Sequence, residues 1–222
     1  MIKNNVKNIL NELSNLNPFN EKVTLVGATK FVSVENINES IDAGLSDIGE
    51  NKAQEFRDKF NLVKKVNYHF FGTLQKNKVK YLIGKVYLIH SVDSIDLIKE
   101  IDLQSQKANV TTNVLLEVNL GEEQKGGFPL NEIENVLSIT KNFKHIKVKG
   151  LMAMLPNIND EPTLINLIKQ VRKTYDNNKQ QYGFEHLSMG MSNDYKLCVK
   201  YGSNMVRIGS SIYGKRNWTY HI

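Results

Sequence analysis

Eight short runs of β-branched and apolar residues recur along this chain, and between them lie longer stretches whose apolar side chains return every three to four residues. The runs are 23–28, 45–48, 66–71, 86–90, 113–118, 147–152, 185–188 and 205–208. Helical spacing occupies 36–43, 51–65, 75–83, 94–107, 130–140, 163–182 and 194–200, and one further helix, 3–16, precedes the first run. In 51–65 the residues Ala53, Phe56, Phe60 and Val63 share a face, and Gly44 stands where a helix C-terminus favours glycine. Short apolar strands alternating with helices imply a parallel sheet covered on both faces. Eight such units favour closure. The expected class is therefore α/β, a single (β/α)8 TIM-type barrel with an extra N-terminal helix, in one domain spanning 1–222. At 222 residues the chain is lean for that class. The open doubly wound sheet is the alternative, but no G-x-G-x-x-G sequence opens a helix after any strand.

Composition narrows the function classes. The 29 Lys and Arg exceed the 23 Asp and Glu by six, yet the lysines are dispersed. The densest groups are Lys76-Asn77-Lys78-Val79-Lys80 and Lys144-His145-Ile146-Lys147-Val148-Lys149, a pattern that argues against a nucleic-acid surface. No run approaches a membrane span, and the first residues lack the apolar core of a secretory leader, so a cytoplasmic protein without membrane association is expected. The Asn-x-Ser/Thr sequons at Asn38 and Asn217 carry no meaning without secretion. The single cysteine, Cys198, forms no internal disulfide and suits buried packing.

In a barrel the chemistry sits at the carboxyl ends of the strands, and phosphate is often held after strands seven and eight. The first strand runs into Thr29-Lys30, delivering an amine from an apolar segment to the mouth. Desolvation favours the neutral amine, which attacks aldehydes to form a Schiff base. The last strand carries Arg207 among apolar residues and exits through Gly209-Ser210. A buried guanidinium requires an acceptor, whether a carboxylate such as Glu50 or Asp194 or a ligand atom. Gly209 and Ser210 offer backbone N–H groups and a hydroxyl suited to phosphate. Ser192 or Asn193, after the seventh strand, could cap the next helix and hold an anion together. Glu50 and Asn51 place polar groups at the end of the second strand, while His69, alternating with apolar neighbours, reads as a structural histidine. The Walker pattern fails because Glu50 and Asn51 follow the second glycine; no H-E-x-x-H or clustered ligands suggest a metal, and no G-x-S-x-G suggests a hydrolase. An amine opposite phosphate-ready loops suits an aldehyde bearing a phosphate. Pyridoxal 5′-phosphate has both features, with Arg207 then facing its pyridine nitrogen or a phosphate oxygen.

Several ordered motifs carry a family resemblance across nearly the whole chain. They are Val26-Gly27-Ala28-Thr29-Lys30, Ile48-Gly49-Glu50-Asn51, His69-Phe70-Phe71-Gly72-Thr73-Leu74-Gln75, His90-Ser91-Val92-Asp93-Ser94, Gly150-Leu151-Met152-Ala153-Met154, Leu187-Ser188-Met189-Gly190-Met191-Ser192 and Met205-Val206-Arg207-Ile208-Gly209-Ser210. Together they resemble the YggS/PROSC family of pyridoxal phosphate-binding proteins, the pyridoxal phosphate homeostasis proteins. The resemblance implies a monomeric or weakly associating barrel similar to the N-terminal domain of alanine racemase, with the cofactor as a Schiff base on Lys30. It implies phosphate contacts from Ser192, Gly209 and Ser210, Arg207 beside the pyridine nitrogen, and Asn51 at the cofactor mouth. The chain departs from the family at Lys30-Phe31-Val32, where K-T-K is common, at Lys52 after Asn51, at Asn193 and at Ser210.

An arginine beside the pyridine nitrogen disfavours its protonation and makes the ring a poorer electron sink. The expected function is therefore a carrier that binds pyridoxal phosphate and buffers or delivers it to apoenzymes, with no catalytic residue assigned. A weak amino-acid racemase is the alternative. It would need a second base, for which Tyr68, His69 and Tyr213 are the candidates, and the second domain that accompanies the racemase barrel is not in the sequence. A barrel enzyme acting on another phosphorylated aldehyde is the third reading.

Overall fold

The computed structural model describes residues 1–122 and 126–214; the sequon at Asn217 lies outside them. Helix α1 (Ile2–Leu16) leads into β1 (Thr24–Ala28), α2 (Val34–Asp42), β2 (Asp47–Glu50), α3 (Ala53–Lys59), β3 (Asn67–Phe70) and a 3-10 helix (Lys76–Tyr81). Next come β4 (Leu88–Val92), α4 (Ile95–Lys107), β5 (Thr112–Asn119), a two-residue β6 (Phe128–Pro129), a 3-10 turn (Leu130–Glu132) and α5 (Ile133–Thr140). The described chain ends with β7 (Ile146–Ala153), α6 (Glu161–Tyr182), β8 (His186–Ser188), α7 (Tyr195–Lys200), β9 (Met205–Ile208) and α8 (Ser210–Tyr213).

The strands pair in the order β4-β3-β2-β1-β9-β8-β7-β5, and a further β4–β5 pairing closes the ring. All these pairings are parallel, and β6 adds to the far end of β5 at Val118 and Asn119. The result is the eight-stranded TIM-type barrel with an N-terminal helix that the alternation implies. Side-chain alternation divides its core in two. Val26, Leu88, Leu115, Met152 and Met205 meet inside the bore, with Phe71 and Met154 against them. Residues such as Ile48, Phe70, Leu116 and Ile208 face outward and pack under the helices. On α1 the buried Val6, Ile9 and Leu13 recur at helical spacing, so one face docks against α2, α7 and α8. Each such side chain contributes on the order of 2 kcal/mol of transfer free energy.

The differences from the sequence expectation cluster where polar residues interrupt a pattern. The second strand is shifted to Asp47–Glu50, because its own residues are Asp-Ile-Gly-Glu while the apolar Leu45 is buried in the preceding turn. The helix expected over 51–65 is confined to the seven residues of α3. The stretch 75–83 forms a 3-10 helix, and 130–140 divides into a 3-10 turn and α5. After β9 the Gly209-Ser210 segment opens the short helix α8, with Gly209 at its N-cap. Gly44 follows the C-cap of α2 with φ +108°, as a helix terminus there requires. Cys198 is buried, and burial pushes its thiol pKa up.

Candidate functional site

The register of β1 against its neighbours sets the rim. Val26 is opposite Asp47 on one side and Arg207 on the other, and Ala28 is opposite Gly49. Lys30 follows β1, Asn51 follows β2 and Gly209-Ser210 follow β9, and β1 lies between β2 and β9 in the sheet. Lys30, Asn51, Gly209 and Ser210 therefore gather at one side of the barrel mouth, with Arg207 deeper on β9. Lys30 is half-buried in the turn after β1, and Ser210 is exposed at the head of α8. Asn51 Oδ1 is buried without a hydrogen-bond partner, an acceptor left open at this rim.

The turn carrying Lys30 is held from behind. Thr29 is fully buried, and its hydroxyl donates to Glu50 Oε1 (2.7 Å). Lys59, from the last turn of α3, donates to the Thr29 carbonyl (2.8 Å), to Glu50 Oε1 (3.0 Å) and to Glu55 Oε1 (2.6 Å). Glu55 Oε1 also accepts from the Phe31 N–H (2.5 Å), and Phe31 takes the left-handed conformation at φ +61°. Both peptide units flanking Lys30 are thus tied to one cluster. Burial raises the Glu50 pKa to about 7, opposed by the Lys59 ammonium. Glu50 therefore faces outward from β2 toward α3, not into the mouth where a polar strand end suggested it.

Arg207 is buried within the bore and finds acceptors other than the expected carboxylates. Its Nη1 donates to the Ser188 carbonyl (2.9 Å) and hydroxyl (2.5 Å), and its Nη2 donates to the Ala153 carbonyl (3.2 Å). Glu50 is engaged by Lys59, and Asp194 Oδ1 accepts from the Met191 N–H (2.6 Å). Burial lowers the Arg207 pKa, yet this group remains a cation at any ordinary pH. Sequence reasoning could not find these partners because two of the three acceptors are carbonyls, which every residue carries.

The loop after β8 approaches the same floor: the Arg207 N–H donates to the Gly190 carbonyl (3.0 Å). Gly190 has φ +104°, and a Cβ there would lie 2.8 Å from the Tyr195 Cα, so only glycine fits. Ser192 is half-buried on this loop. Neither it nor Asn193 caps α7; Asp194 occupies the N-cap position. The first N–H groups of α8, on Ser210 and Ser211, have no preceding helical carbonyl to bond.

None of the three candidates for a second base stands at this rim. Tyr68 packs edge-on against Phe56 outside the barrel, His69 is sealed in the bore, and the Tyr213 hydroxyl pairs with Ser40 (2.9 Å). His69 is the satisfied histidine the sequence suggested, bonded to Asp47 (3.0 Å) and His90 (2.8 Å). Its partner His90, also fully buried, was not singled out by its own sequence context. Among the described residues no cluster of His, Cys, Asp or Glu could hold a metal ion, and no helix is long and apolar enough to cross a membrane.

The donor set gathered here, an amine, a guanidinium, helix N–H groups and hydroxyls, fits an anionic ligand with an electrophilic carbon. Comparison with known proteins agrees with that chemistry. The model of the alanine racemase N-terminal domain matches residues 3–217. The pyridoxal phosphate homeostasis protein of Aquifex aeolicus is 39% identical over 199 residues, covering 87% of each chain. Its namesake from Schizosaccharomyces pombe is 36% identical over 204 residues, covering 87% of this chain and 84% of that one. The structure of PipY from Synechococcus elongatus with PLP bound superposes with a TM-score of 0.85 at 26% identity, covering 96% of this chain and all of that one.

Proposed function

Since the chain belongs to the alanine racemase N-terminal domain family, and within it to the pyridoxal phosphate homeostasis proteins, we propose that it binds pyridoxal 5′-phosphate at the barrel mouth. The observation that supports this reading is the strand order β2-β1-β9, in which Lys30, Asn51 and the head of α8 each follow one of three neighbouring strands. When bound, the cofactor would supply an electrophilic aldehyde carbon, and Lys30 is the residue whose amine would hold it. Ser192, Gly209 and Ser210 are the residues that would hold the phosphate, and Arg207 the one that would meet the ring nitrogen. Asn51, with its open Oδ1, would line the mouth.

The chain's own groups favour storage and delivery over turnover. Among the described residues Arg207 bonds to neutral acceptors, and as a donor it would keep the ring nitrogen an acceptor and the ring weakly electron-withdrawing. The Thr29 and Phe31 anchors hold the Lys30 turn for repeated capture and release. We extend the proposal to a cytoplasmic monomer of one domain that passes cofactor to pyridoxal phosphate-dependent apoenzymes.

The test is intact mass and visible absorbance after incubation with pyridoxal phosphate, before and after borohydride reduction. A reduced adduct mapping to Lys30, absent in Lys30→Ala, supports the reading; an unmodified Lys30 overturns it. Incubation of the loaded protein with alanine in deuterated water should leave Cα unexchanged. Exchange would favour the racemase reading.

A further inference from the structure

Layers of branched apolar side chains ordinarily fill the bore of a parallel barrel. In this bore five polar side chains from five strands join in one line. Asp47 Oδ1 meets His69 Nε2 (3.0 Å), His69 Nδ1 meets His90 Nε2 (2.8 Å), His90 Nδ1 meets the Ser188 hydroxyl (3.0 Å), and Arg207 Nη1 donates to that hydroxyl (2.5 Å). Asp47 and Arg207 are nearly buried, and His69, His90 and Ser188 wholly so. Burying so many polar groups is tolerable only when every one is satisfied.

The two ends dictate where each proton lies. A guanidinium can only donate and a carboxylate can only accept. The Ser188 oxygen accepts a hydrogen bond from Arg207 and donates its own hydrogen to His90 Nδ1. His90 then carries its hydrogen on Nε2 and gives it to His69 Nδ1, and His69 carries its hydrogen on Nε2 and gives it to Asp47. Every bond points the same way. Burial lowers the pKa of His69 and, further, that of His90, so both rings are neutral as this order requires. Burial works to raise the Asp47 pKa, but hydrogen bonds from His69, Ser46 and Asn67 hold it below the usual carboxylate range.

We propose that Asp47, His69, His90 and Ser188 are positioning residues that transmit the Asp47 charge to Arg207 and thereby set the electrostatics of the cofactor, a role resting on the binding site assigned above. Aligned hydrogen bonds polarise one another, so the chain serves as the counter-charge that Arg207 lacks at contact distance. Other titratable groups face the chain from the surrounding elements. Tyr87 and His186 lie near His69 and His90, and Cys198, Glu117 and Asp194 act on Arg207. They are constant across the variants below.

The experiment has two arms on the full chain. In the first, nitrogen-15 shifts of the imidazoles are recorded without cofactor; both His69 and His90 should be neutral and protonated on Nε2. A parent protein with either ring protonated on Nδ1 overturns the proposal. In the second, the pH midpoint of the visible band of the Lys30 adduct is compared between parent and variants. Asp47→Asn keeps an acceptor for His69 but removes the charge, so the Arg207 field is less compensated and the adduct holds its proton less tightly. The midpoint should fall by about half a pH unit, roughly threefold in proton affinity. Ser188→Ala cuts the chain beside Arg207 and should shift it the same way, whereas Ser188→Thr, which keeps the hydroxyl, should restore the parent value. Adducts that form normally with an unmoved midpoint in Asp47→Asn and Ser188→Ala overturn the chain and leave the binding site standing. If the parent takes no adduct, the binding site falls instead. The tautomers, with the Arg207 guanidinium shifts in Asp47→Asn, then decide the chain: unmoved shifts overturn it.

Discussion

The Lys59 ammonium donates to the Thr29 carbonyl over 2.8 Å, tying the last turn of α3 to the residue before Lys30. The same ammonium neutralises Glu50, which is fully buried. A residue thirty positions away thus holds the shape of the turn that presents the candidate cofactor lysine.

Replacing Lys59 by methionine keeps the apolar stem and removes the charge. At alkaline pH this strands an ionised Glu50 and should destabilise the fold by about 3 kcal/mol, the range for breaking a buried pair from one side. Near pH 5.5 Glu50 accepts a proton and the loss should shrink. Urea unfolding at the two pH values measures the difference, and an equal loss at both would refute the pairing. The Lys59→Met protein should also load pyridoxal phosphate more slowly.

Glu50 gives the parent protein its own pH signature. Its pKa is about 7 in the fold against 4.5 in a free chain, so the folded state binds its proton more tightly. The contribution is fully present below the unfolded value and is lost as pH rises through the folded one. Glu50→Gln should therefore flatten the decline of stability between pH 4.5 and about 7. Asp47 has the opposite sign: its contribution is present above 3.8 and is lost as pH falls through its lower folded value. Asp47→Asn should flatten the acid limb alone.

Gly72 follows β3, and a Cβ built there would lie 1.9 Å from the Asn51 carbonyl oxygen. Backbone against Cβ leaves no flexible atom to yield. Gly72→Ala should cost about 3 kcal/mol and displace the Asn51 segment. Denaturant melts and cofactor titration read the two effects, and unchanged affinity would show that Asn51 does not line the site.

Arg172 joins α6 to the segment before β1 and the turn before β9. Its guanidinium reaches Glu21 (2.8 and 3.3 Å) and the Gly202 carbonyl (2.7 Å) and stacks on the Phe19 ring, 4.3 Å from its centroid. A lysine keeps the charge but cannot form the fork or the stack. Arg172→Lys should lower stability by about 1–2 kcal/mol without changing cofactor loading, since these contacts lie away from Lys30.

The strands were legible wherever pattern and burial coincide. Residues 205–208 match β9 at both ends, the run at 23–28 differs from β1 by one residue at its start, and the run at 113–118 differs from β5 by one residue at each end. The position of β2 was hidden because Asp47 and Glu50 are polar residues buried through tertiary partners, His69 and Lys59, that lie 22 and nine positions away. Lys30 and the Gly209-Ser210 pair could be chosen from their place after strands, which is a local property. The satisfaction of Arg207 could not, for its acceptors come from β7 and β8.

The order of apolar runs by itself determined that this chain makes strands and helices in alternation, because burial of both strand faces and of one helix stripe is written in residue spacing. The ordered motifs determined the family. Only the tertiary structure decided which way each polar side chain turns once the sheet has closed. A one-residue step sends a side chain to the opposite face of a strand. Asp47 therefore enters the bore and ends a chain of oriented hydrogen bonds, while Glu50, three residues on, leaves it to hold the turn that carries Lys30.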